Sequence, residues 1–220
     1  MKKALVTILF FVTTAVFAGE PVSTDPQNIG IGNEVGRQVS LDLSFKDETG
    51  KVVQLKDYFD GKTPAILALV YYGCPDLCTF VLNSLTESLK KNSWSVGEKF
   101  SVLTVSIDPK ETPELAAQKK VSYLKDYNRP GAENGWHFLT GDEVDIKKLA
   151  DEVGFHYNYN AEEKQFAHAA GIFILTPAGQ ISQVLFGSNY NPREIKSALL
   201  EAIKGKLSLM DRFLLLLNLT

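Results

Sequence analysis

The chain has 220 residues, 45% of them apolar and 22% charged, with a net charge of −3 at neutral pH. That balance suits one globular domain with tails and excludes wholesale disorder. The near-neutral charge removes any electrostatic case for a nucleic-acid partner.

In chain order, Lys2 and Lys3 precede an uncharged, mostly apolar run from Ala4 to Ala18, and Val16-Phe17-Ala18 offers the small residues of a cleavage site. The run is short of the roughly 20 residues that a membrane-spanning helix needs. Residues 1–18 are therefore expected to be a signal peptide removed on export, with an uncleaved N-terminal anchor as the alternative. No Cys follows the run, so a lipid-modified N-terminal Cys is excluded. Residues 19–37, rich in Gly, Pro and Asn, read as an extended leader, and the folded domain is expected over 38–205. Residues 206–220 form an apolar tail that Asp211 and Arg212 interrupt. It is too short to span a bilayer, and packing on the domain, lying at a membrane surface and being the stump of an anchor all stay open.

Within the domain, Val39, Leu41, Leu43 and Phe45 alternate with polar residues, Asp47 to Gly50 supply turn chemistry, and Val52, Val53 and Leu55 return, which predicts an N-terminal hairpin. Ala65 to Tyr71 is a continuous apolar run, as in a strand buried on both faces. Val81, Leu85 and Leu89 then recur at helical spacing. Phe100 to Ile107 predicts another buried strand, and a helix from Pro113 has Ala117, Val121 and Leu124 on one face. A short strand at Trp136–Leu139 precedes a helix with Asp142 as N-cap, a stripe of Ile146, Leu149, Ala150 and Val153, and Gly154 as its stop. Gly171–Leu175 and Ile181–Phe186 form a second hairpin. Asn191 and Pro192 open a last helix that buries Ile195, Leu199, Ala202 and Ile203 and stops at Gly205. Strands alternating with helices and closing on an antiparallel hairpin predict an α/β fold, a mixed central sheet with helices on both faces. A thioredoxin-like fold has this plan.

The chemistry centres on the chain's two cysteines, Cys74 and Cys78. In an oxidising compartment a lone pair usually forms a structural disulfide, but this loop is tiny and would stabilise little. Cys74-Pro75-Asp76-Leu77-Cys78 follows a buried strand and opens a helix, where i and i+4 share a face and the free N–H groups of the helix N-terminus favour thiolates. Two uses fit: dithiol–disulfide exchange by a redox-active Cys74–Cys78 pair, and a soft metal site. Thioredoxin-type oxidoreductases space their cysteines by two residues rather than three, and usually carry a cis-proline in the loop that faces the cysteine helix. Phe166 to Ile172 has no proline there and does have His168. Two thiolates and an imidazole suit Cu(I) and can hold Cu(II), whereas a structural zinc site wants a fourth ligand. His137 and His156 read as ordinary polar residues, and Tyr71-Tyr72 as strand packing. Met1 and Met210 leave no thioether donor inside the domain. Asp76 reads as an exposed acid at the helix start.

These segments resemble the Sco/SenC family. Tyr71-Tyr72-Gly73 with the cysteine motif resembles its copper motif. Ser106-Ile107-Asp108-Pro109 with Glu111-Thr112-Pro113, then Trp136-His137-Phe138-Leu139-Thr140-Gly141, resemble its next two stretches. Gln165-Phe166-Ala167-His168 leading into Ile172-Phe173-Ile174-Leu175 resembles the segment with its His ligand. The likeness runs in order from about Val39 to Gly205. It implies a thioredoxin-like domain in the periplasm or on the outer face of the inner membrane, with copper held by Cys74, Cys78 and His168. It further implies a role at the binuclear copper centre of cytochrome c oxidase, either delivering copper or reducing the oxidase cysteines. The implied partners are the copper-bearing subunit of the oxidase and another copper-carrying protein. Thr79 and Ala167 depart from the family's usual proline and acid without removing a ligand. A metal-free thiol–disulfide oxidoreductase or redox sensor is the rival reading. A peroxiredoxin-like peroxidase ranks last, because residues 65–73 lack its Thr and Arg.

Overall fold

The computed structural model of the chain describes residues 29–74 and 77–204. The expected signal peptide, most of the leader, Pro75, Asp76, Gly205 and the tail 206–220 lie outside the described residues.

The element order is β1 (Gly30–Ile31), β2 (Ser44–Lys46), β3 (Val52–Gln54), a 3-10 turn at Leu55–Tyr58, β4 (Ala65–Val70), α1 (Leu77–Lys91), β5 (Ser101–Ser106), α2 (Pro113–Tyr127) and β6 (Trp136–Leu139). It continues through α3 (Glu143–Glu152), β7 (Phe155–Asn160), β8 (Gln165–His168), β9 (Gly171–Leu175), β10 (Ile181–Phe186) and α4 (Pro192–Ile203). The five central strands lie in the order β10-β9-β4-β5-β6. β4, β5 and β6 are parallel, and β9 and β10 are antiparallel to their neighbours. This mixed sheet with four helices has the thioredoxin-like plan expected. Every residue of β4 is buried, as a strand covered on both faces must be.

The two-residue period of β6 sorts its neighbours. Trp136 and Phe138 stack on Tyr123 of α2, at 6.1 and 5.9 Å between ring centroids. His137, pointing the other way, meets Tyr58 of the 3-10 turn at 4.5 Å. Helix α2 therefore covers one face at this edge and the turn after β3 covers the other. α1 packs against both α2 and α4, while α3 packs on β7. Capping follows the sequence: Asp142 accepts from the Asp145 N–H, and Asn191 accepts from the Arg193 N–H. Gly154, at φ +71°, takes the left-handed conformation that stops α3.

Three expectations are corrected. The strand over Val39–Phe45 is a strand only at Ser44–Lys46, because a turn at Leu41–Asp42 breaks it, although Val39, Leu43 and Phe45 are buried. In α2 the inward face is Ala116, Tyr123 and Tyr127, and Val121 is 67% exposed, because aromatic stacking on β6 outweighs the aliphatic stripe. Ile203 in α4 faces outward and Ala198 inward. The segment 155–168, to which the sequence pattern assigns no element, is the β7–β8 hairpin, with His156 exposed on β7.

Chain that precedes β4 covers part of each sheet edge. Lys46 and Thr140 exchange backbone hydrogen bonds at 2.7 and 2.9 Å, and the Glu48 carboxylate accepts from the Phe138 N–H, on the outer side of β6. At β10, Ile181 accepts from the Gly36 N–H at 2.8 Å and donates to the Arg37 carbonyl at 2.9 Å. Among the described residues no helix is long and apolar enough to cross a membrane.

Candidate metal centre

The site forms where β4 ends. Past Val70 the chain passes Tyr71, Tyr72 and Gly73 to reach Cys74, and Cys78 stands in the first turn of α1. His168 arrives from elsewhere: it ends β8, paired across the hairpin with Tyr157. Phe166 shares the His168 face of β8 and packs on Tyr71 at 5.4 Å, on Tyr157 at 5.8 Å and on Tyr159 at 5.0 Å. Phe155 of β7 lies 5.7 Å from the imidazole. An aromatic cluster thus docks the hairpin on the end of β4 and carries His168 to the sulfurs.

Cys74, Cys78 and His168 are all buried. Cys78 Sγ lies 2.9 Å from His168 Nε2, while His168 Nδ1 lies 2.8 Å from the Ala169 carbonyl. A carbonyl only accepts, so Nδ1 carries the proton and the Nε2 lone pair faces sulfur. Burial pushes the imidazole pKa down, against the Ala169 bond, which keeps the ring neutral. Burial likewise pushes the Cys78 thiol up, against the Tyr71 N–H that donates to its sulfur at 3.4 Å. The Cys78 N–H donates to Cys74 Sγ at 3.3 Å, so each sulfur receives one backbone N–H. Neither cysteine is in a disulfide.

The structure brings Cys78 and His168 into contact and sets Cys74 beside them, held by the Cys78 backbone and by the Tyr71 hydroxyl. Among the described residues, no three His, Cys, Asp or Glu side chains already stand grouped as a metal cage. The donor chemistry fits copper: two sulfurs and an imidazole whose free lone pair points at one of them.

His137 belongs with Tyr58, and His156 is exposed on β7. Tyr72 is packing, as expected, with its hydroxyl between the Thr104 and Leu139 carbonyls at 2.9 and 2.8 Å. Tyr71 is more than packing, since it reaches both cysteines and sets its ring edge-on to His168 at 6.2 Å. Sequence reasoning also missed Glu111, whose carboxylate accepts from the Tyr72 and Gly73 N–H groups. Its place in the Glu111-Thr112-Pro113 stretch was the available signal.

A SCO1/SenC family model matches residues 33–204. A SCO2-like protein of Rickettsia conorii is 28% identical over 125 residues, 54% of this chain and 53% of that protein, so the match spans about half the length of the curated relative. An electron-transfer candidate of Aquifex aeolicus VF5 is 28% identical, with a TM-score of 0.67 over 80% of this chain and 98% of its own. Yeast Sco1, solved with copper bound, has a TM-score of 0.57 at 22% identity, covering 80% of this chain and 93% of its own, and that likeness speaks for the fold.

Proposed function

The chain belongs to the SCO1/SenC family, and from that membership we propose that it is a copper carrier serving cytochrome c oxidase. Cys74, Cys78 and His168 hold the metal, as Cu(I) or Cu(II). The carrier delivers it to the binuclear centre of the copper-bearing oxidase subunit, or reduces that centre's cysteines beforehand. A second copper-carrying protein loads it. The proposed setting is the periplasm or the outer face of the inner membrane, reached through the signal in residues 1–18.

One observation carries this reading: the 2.9 Å approach of His168 Nε2 to Cys78 Sγ, with Nδ1 committed to Ala169. A dithiol exchanger needs no imidazole there, whereas a three-donor copper site does. Cys78 and His168 already face one another, and Cys74 stands beside Cys78, whose N–H donates to its sulfur. Loading releases the thiol protons, so metal uptake is coupled to proton release. The reductive variant oxidises the two thiols to a disulfide, passing two electrons to a disulfide of the oxidase subunit.

The test is copper stoichiometry of the reduced, purified chain, with His168→Ala, Cys74→Ala and Cys78→Ala beside it. One copper per chain is expected, lost in both cysteine variants and strongly weakened in His168→Ala. His137→Ala and His156→Ala should bind as the unchanged chain does. If His168→Ala binds copper like the unchanged chain while disulfide exchange collapses, the redox-only reading replaces this one. In cells, loss of the gene should lower oxidase activity, with partial rescue by added copper.

A further inference from the structure

The backbone N–H groups around the cysteines can be followed one by one. Tyr71 donates to Cys78 Sγ, Cys74 donates to the Tyr71 carbonyl at 3.3 Å, and Cys78 donates to Cys74 Sγ. The two between, Tyr72 and Gly73, both leave the loop and donate to one carboxylate, Glu111, at 2.7 and 2.5 Å. Ser106, wholly buried at the end of β5, adds a hydroxyl donor to Glu111 at 2.6 Å. A carboxylate with three donors is a strong, directional anchor.

Glu111 is itself fixed on both sides. Its N–H donates to the Asp108 carbonyl at 3.1 Å, and its neighbour Thr112 caps α2. The approach to the loop is tight, since a Cβ added at Gly73 would lie 3.3 Å from the carboxylate. A residue after β5 therefore holds the segment after β4 that ends in Cys74.

We propose that Glu111 is a positioning residue of the sulfur site: its carboxylate holds the backbone of Tyr72 and Gly73 and so fixes where Cys74 presents its sulfur. The copper arm of this proposal rests on the function proposed above, whereas the disulfide arm does not. Glutamine at this position keeps the shape but trades one acceptor oxygen for a donor NH2, which leaves a backbone N–H unmatched. Aspartate keeps the charge and both oxygens on a shorter arm.

The experiment compares the full chain with Glu111→Gln, Glu111→Asp and Ser106→Ala. It reads Cu(I) affinity against a chromophoric chelator, the Cu(II) electron paramagnetic spectrum, the midpoint of the Cys74–Cys78 couple in glutathione buffers, and thermal stability of the reduced metal-free protein. In the glutathione arm two thiols give two electrons and two protons to glutathione disulfide. Glu111→Gln should weaken Cu(I) binding about tenfold, the scale of lost outer-sphere partners, and shift both the spectrum and the midpoint. Glu111→Asp should recover part of each, and Ser106→Ala should move them the same way by less. A Glu111→Gln chain with unchanged affinity, spectrum and midpoint overturns the proposal, even if its melting temperature falls. If the unchanged chain takes up no copper, the copper reading fails and the midpoint alone decides on Glu111. If Glu111→Gln does not fold, unchanged readings in Ser106→Ala and Glu111→Asp overturn it.

Discussion

The central sheet and the β7–β8 hairpin are built on different terms. β4 and β9 are buried along their whole length, and aliphatic residues with Phe173 fill them. In β7 only Phe155 is buried, and the rest of the strand alternates Tyr with Asn or His. The sheet is held by apolar area, on the order of 25 cal/mol for each Å² removed from water. The hairpin is held by its aromatic dock on Tyr71, by α3 and Phe173 packing on β7, and by the β1 pairing at Gly30 and Ile31. The candidate site straddles the two, with sulfurs at the end of the rigid sheet and an imidazole on the lightly anchored hairpin. Damage to the sheet should therefore appear as lost stability, and damage to the hairpin as lost copper affinity with stability largely kept.

The largest effect should come from the sheet. Phe173→Ala empties a wholly buried position and should cost about 3–5 kcal/mol of unfolding free energy, read by denaturant titration. Whatever fraction stays folded should still bind copper. A small stability loss with large affinity loss would reverse the contrast.

Next, His168→Ala should lower copper affinity by about 100-fold or more, beyond the outer-sphere scale. The midpoint of denaturant unfolding should move little, because the buried ring is held by polar contacts to Cys78 and Ala169 and is no part of the aliphatic core. A collapse of the fold would make His168 structural.

Phe166→Ala tests the dock itself. Removing the ring that joins Tyr71 to Tyr157 and Tyr159 should loosen His168 and cost about tenfold in affinity, about 1.4 kcal/mol. Amide exchange should quicken in β7 and β8 and not in β4 or β5. Equal quickening in both regions would merge them into one cooperative unit.

The smallest effect concerns pH. Burial, with help from Lys120 and against Glu48, holds the His137 pKa below its ordinary value. Below about pH 6.5 the unfolded chain takes a proton that the folded chain resists, so His137 adds stability above that pH and loses it as pH falls. His137→Gln should flatten the decline of stability of the metal-free protein between about pH 7 and about pH 5, read by denaturant titration across that range. An unchanged slope would show that His137 titrates alike in both states.

The sheet was legible because buried strands leave unbroken apolar runs, as at Ala65–Val70 and Gly171–Leu175. The hairpin escaped notice because its alternation is written in Tyr, Asn and His rather than aliphatic residues. The inward face of α2 was missed for a related reason: Tyr123 and Tyr127 bury rings that a search for aliphatic stripes passes over. At the site, the closeness of His168 to the cysteines was legible, since a thioredoxin-like plan places that segment opposite the cysteine helix. The grip of Glu111 was not, because its partners are backbone N–H groups, which every residue but proline supplies.

The strips of chain ahead of β4 that line the outer strands carry a consequence for association. An open sheet normally offers a bare ladder on each side, to which another strand can add. Here Glu48 occupies the Phe138 N–H of β6 and Lys46 pairs with Thr140 just past it, while Gly36 and Arg37 occupy Ile181 of β10. Both strips lie within 36–48, so one N-terminal truncation past residue 48 would bare both sides at once. Such a shortened chain also loses the buried Val39, Leu43 and Phe45, so it should be less stable as well as prone to edge-to-edge aggregation, and light scattering during refolding would reveal the latter.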